Sequence, residues 1–289
     1  MKHLAKVLVL GSALAIAGGV SAGAAAPNFA NASSKDIGLF YPGQSSWEWA
    51  VSVDQHPGAD KFRAGKNCAA CHVGDEKTMG ALLVSGKKNE PTPIANKPGS
   101  INAKVSFAHD AQNLYVHIVF APGNQPNAKI DNAFETKVTM MIADANLPAA
   151  ARAGCWGMCH NDSAGMEKAT GQGKTMYLAK PGQSFEYWQA RLNPGSPAVA
   201  TDGTISTQFA ESKPAIVKAE ATNSGGTWSV TLSRKLSAGA GFLDLAPGKK
   251  YIVAFAIHAG HTAKRFHYVS FERSLVLDSG SADFVAASQ

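Results

Sequence analysis

The sequence predicts a mainly β protein: a β-sandwich with a loop and helical insertion, preceded by a small irregular N-terminal segment. Three observations predict it. The 289 residues are 45% hydrophobic and 17% charged, the composition of a globular chain with one large core or two small ones. Twenty-eight Gly and fourteen Pro point to a loop-rich, strand-rich molecule rather than a helical bundle. From Ile101 onward, short apolar runs recur between turn residues at intervals suited to a sandwich.

Residues 1–22 read as a signal peptide. Lys2, His3 and Lys6 give a positive start, Val7 to Val20 an apolar stretch, and Val20-Ser21-Ala22 the small residues that a signal peptidase reads. The stretch is short for a membrane span, so an uncleaved anchor is the weaker reading. No Cys follows it to take a lipid, and no later run approaches the roughly 18 apolar residues of a spanning helix. The cleaved chain is expected in the periplasm, with no stable membrane insertion. Loss of Lys2 and Lys6 lowers the formal charge of +6 by two. A charge this small and dispersed gives no footprint for nucleic acid.

Residues 23–100 show little periodicity; they hold Trp47, Trp49 and a Pro-, Lys- and Gly-rich exit from Lys87 to Gly99. Residues 101–289 form the expected sandwich. Its first hairpin pairs 103–109 with 114–120 across Asp110-Ala111-Gln112-Asn113, which makes His109 and His117 hairpin residues. Further strands are expected at Lys137 to Ala143, Thr227 to Ser233, Lys250 to His258 and Tyr268 to Leu277. The stretch 145–200, with several Gly and Pro, reads as an insertion.

The four cysteines carry the functional reading. Cys68-Ala69-Ala70-Cys71-His72 is C-x-x-C-H, the attachment motif of a c-type haem. Cys155-Trp156-Gly157-Met158-Cys159-His160 is the same motif with one more residue between the thiols. Each thiol adds to one porphyrin vinyl group, and the His after the second Cys lies beneath the ring as proximal iron ligand. One haem with a Cys155–Cys159 disulfide, or two disulfides, are the alternatives for an exported chain. A thioredoxin-like Cys pair lacks its βαβ setting here, and a four-Cys zinc site leaves both following His unexplained. All four Cys fall into the two motifs, so two covalently bound haem c groups are expected: Cys68, Cys71 and His72 hold one, and Cys155, Cys159 and His160 the other.

A low-spin haem needs a second axial ligand, usually His or Met. His56, twelve residues before the first motif, can fold over that haem. His258, His261 and His267 cluster on either side of a short loop and are candidates for the other; His258, at the end of an apolar strand, is expected to be a ligand whose loss turns one haem high-spin. Met166 and Met176, after the second motif, and Met79, after the first, are weaker alternatives, since most Met fill cores.

Four stretches resemble a known family: KVSFAHDAQNLYVHIVF, CWGMCHNDSAGM, FEYWQARLNPG and VAFAIHAGHTAKRFHYVSF. They are similar to the haem-binding domain of ethylbenzene dehydrogenase and dimethylsulfide dehydrogenase gamma subunits, and more closely to exported c-type cytochromes carrying that domain. The resemblance spans roughly residues 100–280. It implies a β-sandwich with haem at one end and a part in periplasmic electron transfer. Those gamma subunits hold a non-covalent haem b through Met and Lys. This chain departs from them in Cys155, Cys159, His160 and its extra N-terminal motif, so that ligand pair is not carried over.

The leading functional reading is a dihaem carrier of single electrons between respiratory redox partners, such as a quinol-oxidising donor and a terminal reductase. The competing reading is a haem enzyme or ligand sensor with one open iron position, for which no substrate-activating constellation is visible. A third is a sandwich that binds sugar through Trp47, Trp49, Trp188 and Trp228, which leaves both Cys-His motifs idle.

Overall fold

A computed structural model describes residues 27–160 and 183–289. The signal peptide, Met166 and Met176 lie outside them. Strand β1 (Ser34–Phe40) comes first. Four short helices follow, α1 (Trp47–Ala50), α2 (Ala59–Arg63), α3 (Ala69–His72) and α4 (Glu76–Val84). The chain then runs through β2 (Ser100–His109), β3 (Asn113–Phe120) and β4 (Thr136–Asp144). Helix α5 (Pro148–Cys159) separates these from β5 (Phe185–Leu192), β6 (Val199–Ile205) and β7 (Phe209–Glu211). The rest is strand: β8 (Lys218–Ser224), β9 (Thr227–Lys235), β10 (Lys250–Ala259), β11 (Tyr268–Val269), β12 (Arg273–Leu277) and β13 (Phe284–Ser288).

The fold is mainly β, as the sequence predicts. One path of pairing closes on itself, β10-β11-β1-β2-β13-β12 and back to β10, giving the centre a barrel-like wall. Within that ring no strand is left with a free edge. From β10 the sheet continues as β4-β5-β6-β7, and from β2 as β3-β9-β8. These two wings face one another where β5 packs on β8 and β9. Glu186 of β5 and Arg234 of β9 make a buried ion pair there, 3.0 Å apart. Burial leads in raising the Glu186 pKa and in lowering that of Arg234, while their pairing acts against both shifts.

Local chemistry explains the elements. The turn between β2 and β3 is held by Asp110, whose Oδ1 accepts from the Gln112 and Asn113 amides at 2.7 and 2.6 Å. Along β9, Trp228, Val230, Leu232 and Arg234 are buried and the residues between them are more exposed, the alternation of a half-buried strand. Nearly all of β4 and β10 is buried on both faces, so those strands read as continuous apolar runs. The sheet also crosses residue 100: β1, inside the segment read as irregular, pairs along its whole length with β2.

Two connections build the functional end. The first runs from β1 to β2, carries α1 to α4, and is tied off where the Tyr41 amide donates to the Gly99 carbonyl at 2.8 Å. The second is α5, which starts on Pro148, favoured at a first helical position. Gly154 breaks its regularity at φ 55° and ψ −141°. A Cβ there would sit 3.0 Å from the Ala254 Cβ and 3.2 Å from Glu272. Only glycine accepts both that backbone and that approach, and the bend lets the helix carrying the second motif lie against β10.

Candidate haem-binding sites

The first motif occupies one turn of helix. Cys68 precedes α3, and Cys71 and His72 end it. Residues three apart on a helix share a face, so the two sulfurs can meet one edge of a ring. The turn is held from outside: the Ala69 amide donates to Glu272 Oε1 at 2.8 Å and the Ala70 amide to Asn67 Oδ1 at 2.9 Å. Enclosure, then the Glu272 charge, pushes the Cys68 thiol well above its ordinary range.

Cys68, Cys71 and His72 open onto a mainly apolar cleft that His56 also lines, with Trp49, Phe62, Met79 and Phe271 among its walls. Its empty space, counted with the open mouth, is about 1120 Å³. His56 and His72 have ring centroids 6.0 Å apart. Metal–imidazole bonds of about 2 Å put two rings on opposite sides of one metal at roughly this separation. His56 Nδ1 lies 2.9 Å from the Ala50 carbonyl. A carbonyl can only accept, so the proton is on Nδ1 and Nε2 keeps its lone pair, the arrangement usual for a metal-binding His.

The second motif ends α5. Positions 155 and 159 are four apart, close to one helical turn of 3.6 residues. The Cys155 side chain lies outside what is described. His160 is only 2% exposed, and its Nδ1 donates to the Ser45 carbonyl at 3.1 Å. Facing it is His267, with ring centroids 5.6 Å apart and planes at 79°. His267 Nδ1 donates to the Lys264 carbonyl at 2.5 Å. Burial, with the neighbouring His267, lowers His160 to about 3. Burial also lowers His267 to about 4. Both rings are therefore neutral at physiological pH.

His258 packs on His267 at 4.9 Å between centroids, but its Nε2 is taken by the same Lys264 carbonyl at 2.9 Å. Its Nδ1 has no hydrogen-bond partner among the described residues, and its enclosure holds its pKa well below the ordinary value. His261 sits at φ 56° with Nδ1 on the Asp131 carbonyl at 2.8 Å, bracing the 127–131 loop. His109 and His117 bond to Asp278 and Ser229 at 2.7 and 2.8 Å as parts of the β2–β3 hairpin.

So the structure gathers His56, His72, Cys68, Cys71 and Met79 at one cleft, and His160, His267 and His258 at a second place. Among the described residues, no three His, Cys, Asp or Glu converge where a bare metal ion could sit. At the first cleft, facing imidazoles beside a turn bearing cysteines fit a haem instead. Trp188 and Trp228 are buried, which takes them out of any sugar-binding surface.

Three contributors were not singled out from sequence. Glu272 caps the first motif from the break between β11 and β12, with its Oε2 left without a partner among the described residues; burial raises it to about 7. Buried Lys97 lies over the Tyr268 ring at 4.3 Å and bonds to Gln125 Oε1 at 3.3 Å, and burial lowers it to about 7. Trp156 stands between the two cysteines of the second motif, which is the only signal the sequence offers for it.

No family model matches the chain. Among solved structures, a putative carbohydrate-binding protein from Bacteroides uniformis ATCC 8492 aligns with a TM-score of 0.35 at 10% identity, over 62% of this chain and 72% of that one. Among known proteins, cytochrome c-551 of Rhodocyclus tenuis is 32% identical over 268 residues, covering 91% of this chain and all of that protein. Cytochrome c-552 of Stutzerimonas stutzeri is 35% identical over 299 residues, covering the whole of both chains. Similarity of this strength over the full length, joined to a Cys-x-x-Cys-His turn at an apolar cleft, shows that the chain belongs to the c-type cytochromes, electron-transfer proteins with covalently bound haem.

Proposed function

We propose that the protein is a periplasmic dihaem electron carrier passing single electrons between a quinol-oxidising donor and a terminal reductase. One observation carries the dihaem reading: each Cys-His motif has its own second imidazole, and in both places the facing ring keeps its Nδ1 proton on a backbone carbonyl. Cys68 and Cys71 would hold the first haem, with His72 and His56 as axial ligands. Cys155 and Cys159 would hold the second, with His160 and His267. His258 then supports His267 from behind, and Met79 remains a neighbour in the first cleft. When bound, haem supplies an iron that takes up and gives back one electron.

The chain's own residues supply the rest. The carbonyls of Ala50, Ser45 and Lys264 fix imidazole orientation, which tunes ligand basicity. Apolar walls keep water from the rings and so set potential. In this reading residues 1–22 direct export, residues 23–100 form the first haem segment, and residues 101–289 form a haem-bearing sandwich like that of the gamma subunits. Among the described residues no helix is long and apolar enough to cross a membrane.

The open mouth of the first cleft favours one second reading, a first iron whose distal ligand is displaceable, as a small haem enzyme or sensor would need. Intact mass and the reduced absorption spectrum with carbon monoxide separate the two. The carrier reading expects two haems per chain and a spectrum that ignores carbon monoxide. One haem per chain, or ready binding of carbon monoxide, contradicts it.

A further inference from the structure

The two sites share a wall. Trp156 is 7% exposed and, with Ala153 three residues before it across the Gly154 bend, lines the first cleft. The same indole stacks on His160, with centroids 6.0 Å apart and planes at 23°. Backbone contacts fix the two sides together. The Cys68 amide donates to the Arg152 carbonyl at 2.9 Å and the Trp47 amide to the His160 carbonyl at 2.7 Å. Ser45, which also lines the first cleft, accepts from His160 Nδ1.

We infer that Trp156 couples the two haem sites, its indole being the contact through which an electron passes between the first cleft and the His160 imidazole. The inference rests on the dihaem reading. The transfer is balanced simply: one iron is oxidised by one electron, the other reduced by it, and no bond breaks and no proton moves. The indole is not itself oxidised; it fills the gap with polarisable, tightly packed atoms and holds the His160 ring in place. It is a positioning residue.

Laser-flash photoreduction of the holoprotein with less than one electron per molecule reads this coupling as a phase independent of protein concentration. Trp156→Leu should slow that phase by about tenfold or more while both haems and their low-spin bands remain, and Trp156→Phe, which restores an aromatic ring, should stay within about threefold of the wild type. Should the Leu variant lose a haem, Trp156→Met is read in the same way. An unchanged phase in the non-aromatic variant with both haems present overturns the coupling. So does a wild type that holds two haems and shows no internal phase. A wild type with one haem overturns the dihaem reading itself, which intact mass reveals separately.

Discussion

A backbone carbonyl facing an imidazole decides where that ring keeps its proton, and so which nitrogen is left for iron. By this rule His56, His160 and His267 each offer Nε2, whereas His258 has spent its Nε2 on Lys264. The sequence reading ranks His258 ahead of His267, because the deciding partner, a carbonyl in the loop between them, is not visible in it. His267→Ala is expected to turn one haem high-spin, and His258→Ala to leave both low-spin, as read by absorption and electron paramagnetic resonance. Glu272 makes a second prediction at this scale. Arg273 and Asp283 influence it and the Cys68 thiol lies near it, but burial dominates and raises it to about 7. The folded state therefore keeps a proton that the unfolded state releases above about pH 4.5, and stability falls as pH rises from there to about 7. Glu272→Gln keeps an oxygen for the Ala69 amide and removes this loss. Its unfolding free energy should exceed the wild type's by on the order of 1–3 kcal/mol at pH 8 and match it near pH 4, measured by chemical denaturation.

At the scale of elements, the strands whose apolar pattern is regular were legible: the 103–109 and 114–120 hairpin, and the cores of β4, β9 and β10 all lie where alternation or an apolar run placed them. Those not foreseen have physical reasons. In β6 the pair Asp202-Gly203 looks like a turn, but Asp202 is buried and its Oδ2 accepts from the Ile216 and Val217 amides at 2.7 and 2.9 Å. In β8 the side chains are small or polar and mostly exposed. The run from Tyr268 to Leu277 breaks at Ser270–Glu272, because Ser270 bonds to Phe255 through both its amide and its hydroxyl and Glu272 turns to the first motif. Helix α5 shows what the sequence hides most. Nothing before Cys155 marks Gly154 as special until its positive φ and its approach to Ala254 are seen. Gly154→Ala should cost about 1–3 kcal/mol and lower the occupancy of the second haem relative to the first, read by intact mass.

Across the whole molecule, a barrel-like sheet holds two short, cysteine-bearing turns whose sites meet at α5. Both Cys-His motifs were legible because each is a run of five or six consecutive residues. The candidate distal ligands were legible only as a set, since His56 and His267 come to face His72 and His160 through loops whose course depends on the sheet. Relatives 32% and 35% identical over nearly the entire chain place it among electron-transfer cytochromes. Two irons, each closed by a pair of imidazoles, are the central claim of the functional account. Electron paramagnetic resonance of the oxidised holoprotein, with spins counted per chain, tests it most directly. The account predicts two low-spin signals of the bis-imidazole type, together integrating to about two spins per chain. A single such signal, or a high-spin or His/Met signature at either iron, would contradict it.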